Sequence, residues 1–115
     1  MAVPNLAIRA LPETLRSLAF GSISGTYAGL GSAFANPVRI LFMENLTDVT
    51  LTYSWDGVND HLVLPRNGYI SIDVTANLAS TGGAFNFAQG TRIYVKGSPT
   101  SGSTYLTVIY GTTGV

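Results

Sequence analysis

The stretch Tyr105-Leu106-Thr107-Val108-Ile109-Tyr110 decides the fold class, because apolar side chains recur along it at every second position. Successive side chains of a strand point to opposite sides, so Leu106, Val108 and Tyr110 would share one face. Other runs have the same texture and are rich in β-branched and aromatic residues, which suit a pleated, half-buried surface. They are residues 38–42, 51–55, 69–74 and 92–96. The chain is therefore predicted to be all-β.

Turn-forming residues separate these runs at short intervals. Asp56-Gly57 and Asn67-Gly68 are pairs that supply positive φ at turns. The segment Pro65-Arg66-Asn67-Gly68 is the strongest hairpin signal in the chain, and Asn45-Leu46-Thr47-Asp48 has hairpin-like spacing as well. One apolar face per strand with such punctuation is typical of an antiparallel sandwich or barrel. We predict a two-sheet, jelly-roll-like β-sandwich of about seven to eight strands.

The first third of the chain has a different composition, rich in Gly, Ser and Ala up to Asn36-Pro37. We divide the chain there into an N-terminal arm with one or two strands, residues 1–35, and a β-sandwich domain, residues 36–115. An arm of this kind either lies across a neighbouring subunit or is a loose terminus. The residues leave both alternatives open.

Charge is scarce and balanced. The chain of 115 residues has six Lys and Arg and six Asp and Glu, so its net charge is zero. Charged residues make up 10% of it, against about 25% in an average chain. Scattered cations cannot neutralise several phosphates, which argues against nucleic acid, and no segment is long and apolar enough to predict a membrane helix. A nearly uncharged surface favours self-association, so we expect a homo-oligomer.

The residues that could carry chemistry are few. Cysteine is absent, so neither disulfides nor thiolate metal sites are expected. His61 is the single histidine, and its pattern indicates a turn or edge residue rather than a ligand or base. Asp56 and Asp60 flank a tight turn and are interpreted as turn formers; their oxygen-rich loop lacks the ligand spacing of a calcium-binding EF-hand. We predict no enzyme, no cofactor and no metal.

Exposed aromatic residues and the Asp-Gly loop are the remaining candidates for a binding role. We single them out as interaction residues: Trp55, Asp56, Gly57, Asn59, Asp60, Tyr69, Tyr94 and Tyr105. Protein interfaces are enriched in Tyr and Trp, and we favour that use. The alternative is a carbohydrate-binding module that uses Trp55, Tyr53 and the loop as a platform for receptor contact.

Several segments follow one another in the order that a short β-sandwich needs. They are Phe34-Ala35-Asn36-Pro37-Val38-Arg39-Ile40-Leu41, Asn45-Leu46-Thr47, Ser54-Trp55-Asp56-Gly57-Val58-Asn59-Asp60-His61, Val63-Leu64-Pro65 and Tyr94-Val95-Lys96-Gly97-Ser98-Pro99-Thr100-Ser101-Gly102-Ser103. Together they resemble a family of small virion structural proteins of tailed bacteriophages. The resemblance implies a non-enzymatic virion part that is assembled in the host cytoplasm.

The resemblance also implies partners. They are other virion proteins, the major capsid protein foremost, together with further copies of the chain. A capsid-decorating or cement protein is the favoured role. A neck or tail component, such as a collar or adaptor, is the alternative.

Overall fold

The computed structural model describes residues 8–75 and 86–113, which form nine β-strands, a short 3-10 turn at Phe20–Ser22 and no α-helix. The prediction of an all-β chain is confirmed. The strands are β1 (Ile8–Pro12), β2 (Arg16–Ala19), β3 (Ala28–Gly29), β4 (Val38–Asn45), β5 (Leu51–Ser54), β6 (Leu62–Leu64), β7 (Tyr69–Asp73), β8 (Tyr94–Lys96) and β9 (Ser103–Thr113).

The strands form two antiparallel sheets. The five-stranded sheet has the order β1–β9–β4–β7, and β2 continues the row of β1 along β9. The four-stranded sheet has the order β3–β8–β5–β6. Strands from β2 onward thus occupy the orders 2-9-4-7 and 3-8-5-6, which is the connectivity of a jelly roll. The predicted two-sheet, jelly-roll-like sandwich is confirmed.

The core lies between the two sheets. Leu106 and Val108 of β9 are fully buried, as the alternation along that strand predicts. The other fully buried apolar side chains come from both sheets and from the loops between them: Leu30, Val38, Leu41, Met43, Leu51, Tyr53, Ile93 and Val95. Burying one such side chain contributes about 1.5–3 kcal/mol, so this layer is the main source of stability.

The turn at Asn67-Gly68 forms, but it does not make the predicted hairpin. Asn67 has a φ of 62°, and Gly68 N donates to Pro65 O over 2.8 Å. However, β6 and β7 belong to different sheets, so the turn carries the chain from one layer to the other. The prediction was wrong because turn chemistry fixes only the local bend, whereas the buried side chains on each side of it select the sheet.

The segment 45–48 also crosses between the sheets, since it joins β4 to β5. Its hairpin-like spacing was therefore misleading in the same way. The two crossings contact each other, because Asn67 N donates to Asn45 O over 2.9 Å. The hairpin in this region is instead β5–β6, which pairs Leu51 with Leu64 and encloses the Asp56-Gly57 loop.

Asn45 ties these crossings together from inside the protein, where it is fully buried. Its Nδ2 donates to the carbonyl oxygens of Val49, Leu64 and Pro65 at 2.8, 3.0 and 3.2 Å. Its Oδ1 accepts from the backbone N and the Oγ1 of Thr47 at 2.9 and 2.6 Å. The sequence Asn45-Leu46-Thr47 matches a glycosylation pattern, yet the fold uses this amide as an internal brace.

The segment predicted as an arm contributes three strands rather than one or two. β1 and β2 pair with β9, and β3 pairs with β8, so the segment reaches both sheets. Leu30 and Phe34 add buried side chains to the core. Residues 8–35 are thus packed with the rest of the sandwich, and residues 1–7 of the predicted arm lie outside the described residues.

Candidate interaction surface

The interaction residues predicted from the sequence lie on opposite faces of the sandwich. Residues 55–60 form the β5–β6 loop, and Tyr94 of β8 lies beside it on the outer face of the four-stranded sheet. Tyr69 of β7 and Tyr105 of β9 lie on the outer face of the five-stranded sheet, where both are paired across strands with Glu44. The structure therefore separates these residues into two groups.

The Asp56 loop is shaped by its own hydrogen bonds. Asp56 Oδ1 accepts from the backbone N of Asn59 and of Val58, each at 2.8 Å, and Oδ2 accepts from Asn59 Nδ2 at 2.8 Å. These donors hold the pKa of Asp56 well below its usual range. Gly57 has a φ of 77° and lies against the ring of Tyr94. Asp56, Gly57 and Asn59 thus serve the turn itself, and Tyr94 packs on it.

Asp60, at the end of the same loop, contacts Tyr27 and Lys96 instead of the turn. No sequence pattern singles out Tyr27. Tyr27 Oη donates to Asp60 Oδ1, and Lys96 Nζ lies 2.9 Å from the same oxygen. Lys96 also lies 4.7 Å from the centre of the Tyr27 ring. The Tyr27 hydrogen bond and Lys96 lower the pKa of Asp60, while burial and then Asp60 raise the pKa of Tyr27 to about 12. The cluster connects β8 to the loop before β3.

The carbohydrate platform does not form as predicted, because Tyr53 is fully buried. Its Oη is 2.7 Å from Thr104 Oγ1 in the core, and burial raises its pKa to about 12. Trp55 is half-buried and stacks on Phe87 with ring centres 6.1 Å apart. His61 lies edge-on to the indole and accepts the backbone N–H of Trp55 on Nδ1 over 2.9 Å. This histidine is an exposed loop residue, as its sequence context indicates.

The outer face of the five-stranded sheet carries a group of exposed and half-exposed apolar side chains, which we call the aromatic face. It comprises Leu15, Phe42, Leu46, Tyr69 and Tyr105. Tyr69 is 67% exposed, Leu15 57%, Leu46 46% and Phe42 37%. The rings of Phe42 and Tyr69 are in contact, with centres 5.7 Å apart. A cluster of large exposed apolar groups of this kind is typical of surfaces that bind another protein.

Two shallow grooves run across this sheet. One, of about 340 Å³, lies on the aromatic face and is lined by Leu15, Phe42, Glu44, Leu46, Tyr105 and Thr107. The other, of about 330 Å³, lies toward the β1 end and is lined by residues that include Ile40, Asp73 and Ile109. Both grooves are open and mainly apolar, so side chains of a partner can pack into them.

The outer face of the five-stranded sheet, which contains the aromatic face, is smaller than one side of a standard protein–protein interface. The sheet has four rows of strands about 4.8 Å apart, and β4 is eight residues long. Taken as flat, its outer face therefore has an area of roughly 500 Å². A standard interface buries about 800 Å² on each partner. Glu44 and Asp73 point outward from this face, and few other charges lie on it. Little charge would have to be desolvated when a partner covers it.

A buried ion pair, which no local sequence pattern predicts, holds the first strands to the sandwich. Arg16 Nη2 lies 2.7 Å from Glu13 Oε1, and the two side chains are only 6% and 7% exposed. Arg16 also donates to the carbonyl oxygens of Ser32 and Ala33 at 2.8 and 3.0 Å. Asn36 Nδ2 donates to Glu13 Oε2 at 2.9 Å. Burial tends to raise the pKa of Glu13, but these donors lower it below its usual value.

Neither a metal cluster nor a membrane-spanning helix occurs within residues 8–75 and 86–113. No group of three or more His, Cys, Asp or Glu side chains that could hold a metal ion is found there. In the same ranges no helix has the length and apolar character needed to cross a membrane.

The carboxyl groups should make the stability of the folded protein sensitive to acid. The pKa values of Glu13, Asp48, Asp56, Asp60 and Asp73 are all lowered in the folded protein. Unfolding returns them to ordinary values near 4, so in acid the unfolded chain binds more protons than the folded one. We expect the melting temperature to stay near its neutral value down to about pH 5 and to fall steadily between about pH 4.5 and 2. Calorimetry across this range checks it.

Asp48 provides the matched variant for this test. Its oxygens accept from the Thr100 hydroxyl and, at 2.8 Å, from the backbone N of Thr100, which lowers its pKa to about 2. Asp48→Asn removes this titration, so the melting temperature of the variant should depend less steeply on pH below about 4. A melting temperature that is flat or rises toward low pH would contradict the prediction.

Comparison with known proteins identifies no family for this chain. No protein-family description matches the chain, and no curated protein matches it. Among solved structures, the chain is similar to one from work on Bacillus endospore appendages, described as a novel family of disulfide-linked pili. The similarity has a TM-score of 0.48 and 11% identity, and covers 96% of this chain and 95% of that one. A likeness this distant carries no inference about function.

Proposed function

We propose that this chain is a non-enzymatic structural protein of a tailed bacteriophage virion, and that it decorates and cements the capsid through its aromatic face. The observation that carries the proposal is that face, where Phe42, Tyr69, Leu15 and Leu46 are exposed on one rigid sheet with little charge. The sequence resemblance to small virion proteins supports the setting. The major capsid protein is the proposed partner.

Repetition explains how such a surface can hold a shell together. A face of this size makes only modest contacts, but copies bound at many equivalent positions on a particle act together. A jelly-roll sheet suits the task because its backbone is fixed by strand pairing on both sides of β4 and β9. The side chains of the aromatic face are therefore presented in a fixed arrangement, which reduces the entropy lost on docking.

Binding to particles that lack this protein tests the proposal. Phe42→Asp adds a second carboxylate to the aromatic face, two residues from Glu44 and next to Tyr69, and should abolish binding because two like charges would be buried together without a partner. The matched control is Val63→Asp. Val63 is also exposed and apolar, at 57%, but lies in β6 of the other sheet. Circular dichroism of both variants verifies that they fold.

The outcomes distinguish the roles. The proposal predicts that Val63→Asp binds like the wild type, that Phe42→Asp does not, and that particles without the protein lose DNA at a lower temperature than decorated ones. Binding of Phe42→Asp at the wild-type level would rule out the aromatic face. Labelled protein found only at the neck or tail would replace the capsid role with the alternative role. Undecorated particles that retain DNA equally well would refute cementing.

A further inference from the structure

The strand β7 is the edge of the five-stranded sheet on the side away from β1 and β2. It pairs with β4 over five residues in regular register, from Tyr69 opposite Glu44 to Asp73 opposite Ile40. Asn45 N donates to Gly68 O and Val74 N donates to Arg39 O, each over 2.8 Å. These two bonds fix which backbone groups of β7 face β4.

Backbone hydrogen bonding alternates along an antiparallel pair. Since residues 68 and 74 bond to β4, residues 70 and 72 do so as well, and Tyr69, Ser71 and Asp73 turn their N–H and C=O groups away from the sheet. The side chains of these three residues are exposed on its outer face. Within the described residues, the edge therefore presents three successive donor–acceptor pairs at the spacing of a strand.

Within the described residues, this edge has no Pro, Lys or bulge, which are among the features that prevent strands from pairing with other chains, and its one charged side chain is Asp73. The other edges in the described part of the chain have such features. β3 has two residues, β6 has three and is followed by Pro65, and the row of β1 and β2 is interrupted between Pro12 and Arg16. β1 matches β7 in length, at five residues, but it ends in Pro12. β7 is thus the longest edge strand without a proline among the described residues.

From this edge we infer that two copies of the chain pair through β7, antiparallel and about a two-fold axis at Ser71. In this register Ser71 faces Ser71 of the second copy and Tyr69 faces its Asp73, so each outward N–H and C=O group of the three residues has a partner. A register that sets Asp73 opposite Asp73 would oppose like charges, which destabilises a sheet. The edge is therefore complementary to itself in one register.

The pairing would join the five-stranded sheets of the two copies into a single sheet with eight rows of strands. Directly opposed residues of paired strands point to the same side, so the two aromatic faces would become one continuous surface with both Phe42–Tyr69 pairs near its centre. Because a pair of short edges buries less than the roughly 800 Å² per partner of a stable dimer, the dimer should be weak and depend on concentration. The pairing does not depend on the virion role.

Cross-linking tests the register directly. The chain has no cysteine, so an introduced thiol is the only one in each copy. Residues in a hydrogen-bonded antiparallel pair have Cα and Cβ atoms about 5.5 Å apart, and that Cβ distance is longer than the roughly 3.5–4.5 Å of an unstrained disulfide. A short bifunctional maleimide should therefore link Ser71→Cys into a dimer rapidly. Ser17→Cys, on an exposed position of β2 in the same sheet, is the matched control and should react slowly.

A mixing experiment separates this register from random collision. Tyr69→Cys mixed with Asp73→Cys should give mainly the mixed dimer, and either variant alone should give little. Sedimentation of the cysteine-free protein should show a concentration-dependent dimer that is lost in Ser71→Lys and kept in Ser17→Lys. Equal cross-linking of Ser71→Cys and Ser17→Cys, a random mixture of dimers, or a monomer at every concentration would each overturn the inference.

Discussion

Arg16→Met is expected to lower the free energy of unfolding by about 3–5 kcal/mol, because it removes one partner of a buried ion pair. The carboxylate of Glu13 would remain 7% exposed, with only Asn36 and the backbone N of Ala35 as donors. The carbonyl oxygens of Ser32 and Ala33 would also lose their donor. Since domains of this size are stable by about 5–15 kcal/mol, the loss is a large share of the total.

Urea denaturation of purified variants measures this effect. Arg66→Met is the control, because Arg66 is exposed and its replacement should change stability by no more than about 0.5 kcal/mol. Adding Glu13→Gln to Arg16→Met should recover part of the loss, since it removes the uncompensated charge. If the double variant is less stable than Arg16→Met alone, the buried charge is not the cause of the loss.

Asn45→Asp is expected to destabilise the protein by at least about 3 kcal/mol, because it replaces a donor group with an acceptor of the same shape. The new oxygen would face the carbonyl oxygens of Val49, Leu64 and Pro65, which now accept from Nδ2. Buried acceptors that lose their donor cost about 1–3 kcal/mol each, and an unpaired buried charge adds to that cost.

The pH dependence of stability shows whether the buried carboxylate causes the loss in Asn45→Asp. Protonation of the introduced carboxyl group restores one donor, so the stability of Asn45→Asp relative to the wild type should improve as the pH falls from 7 toward about 5. Asn67→Asp is the matched control, because Asn67 is exposed and its φ of 62° suits Asp as well as Asn. A loss in Asn45→Asp no larger than in Asn67→Asp would contradict the bracing role.

Structural features that depend on residues close together in the sequence were predictable. Alternation in β9 and β7 correctly placed Leu106 and Val108 in the core and Tyr69 and Tyr105 on the opposite face. Turn chemistry correctly indicated the positive φ values at Gly57 and Asn67. In each case the physical cause lies within a few residues of the observed conformation, so a short window of sequence contains it.

Features that depend on distant residues were not predictable. Nothing near Arg16 reveals that it will be buried, since its acceptors at Ser32 and Ala33 come from a later loop. Nothing near Asn67 reveals that β6 and β7 will join different sheets. Trp55 and Tyr105 look alike as aromatic residues in a strand pattern, but Trp55 packs against the core and on Phe87, whereas Tyr105 lies on the outer face of the five-stranded sheet.

The position of β9 determines when this protein can fold during synthesis. It is the last strand of the described chain, yet it lies inside the five-stranded sheet, between β4 on one side and β1 with β2 on the other. Until the ribosome has released β9, the two strands made first have no partner in their sheet. The sandwich therefore assembles after translation of its last strand, through contacts distant in sequence, and such topologies fold slowly.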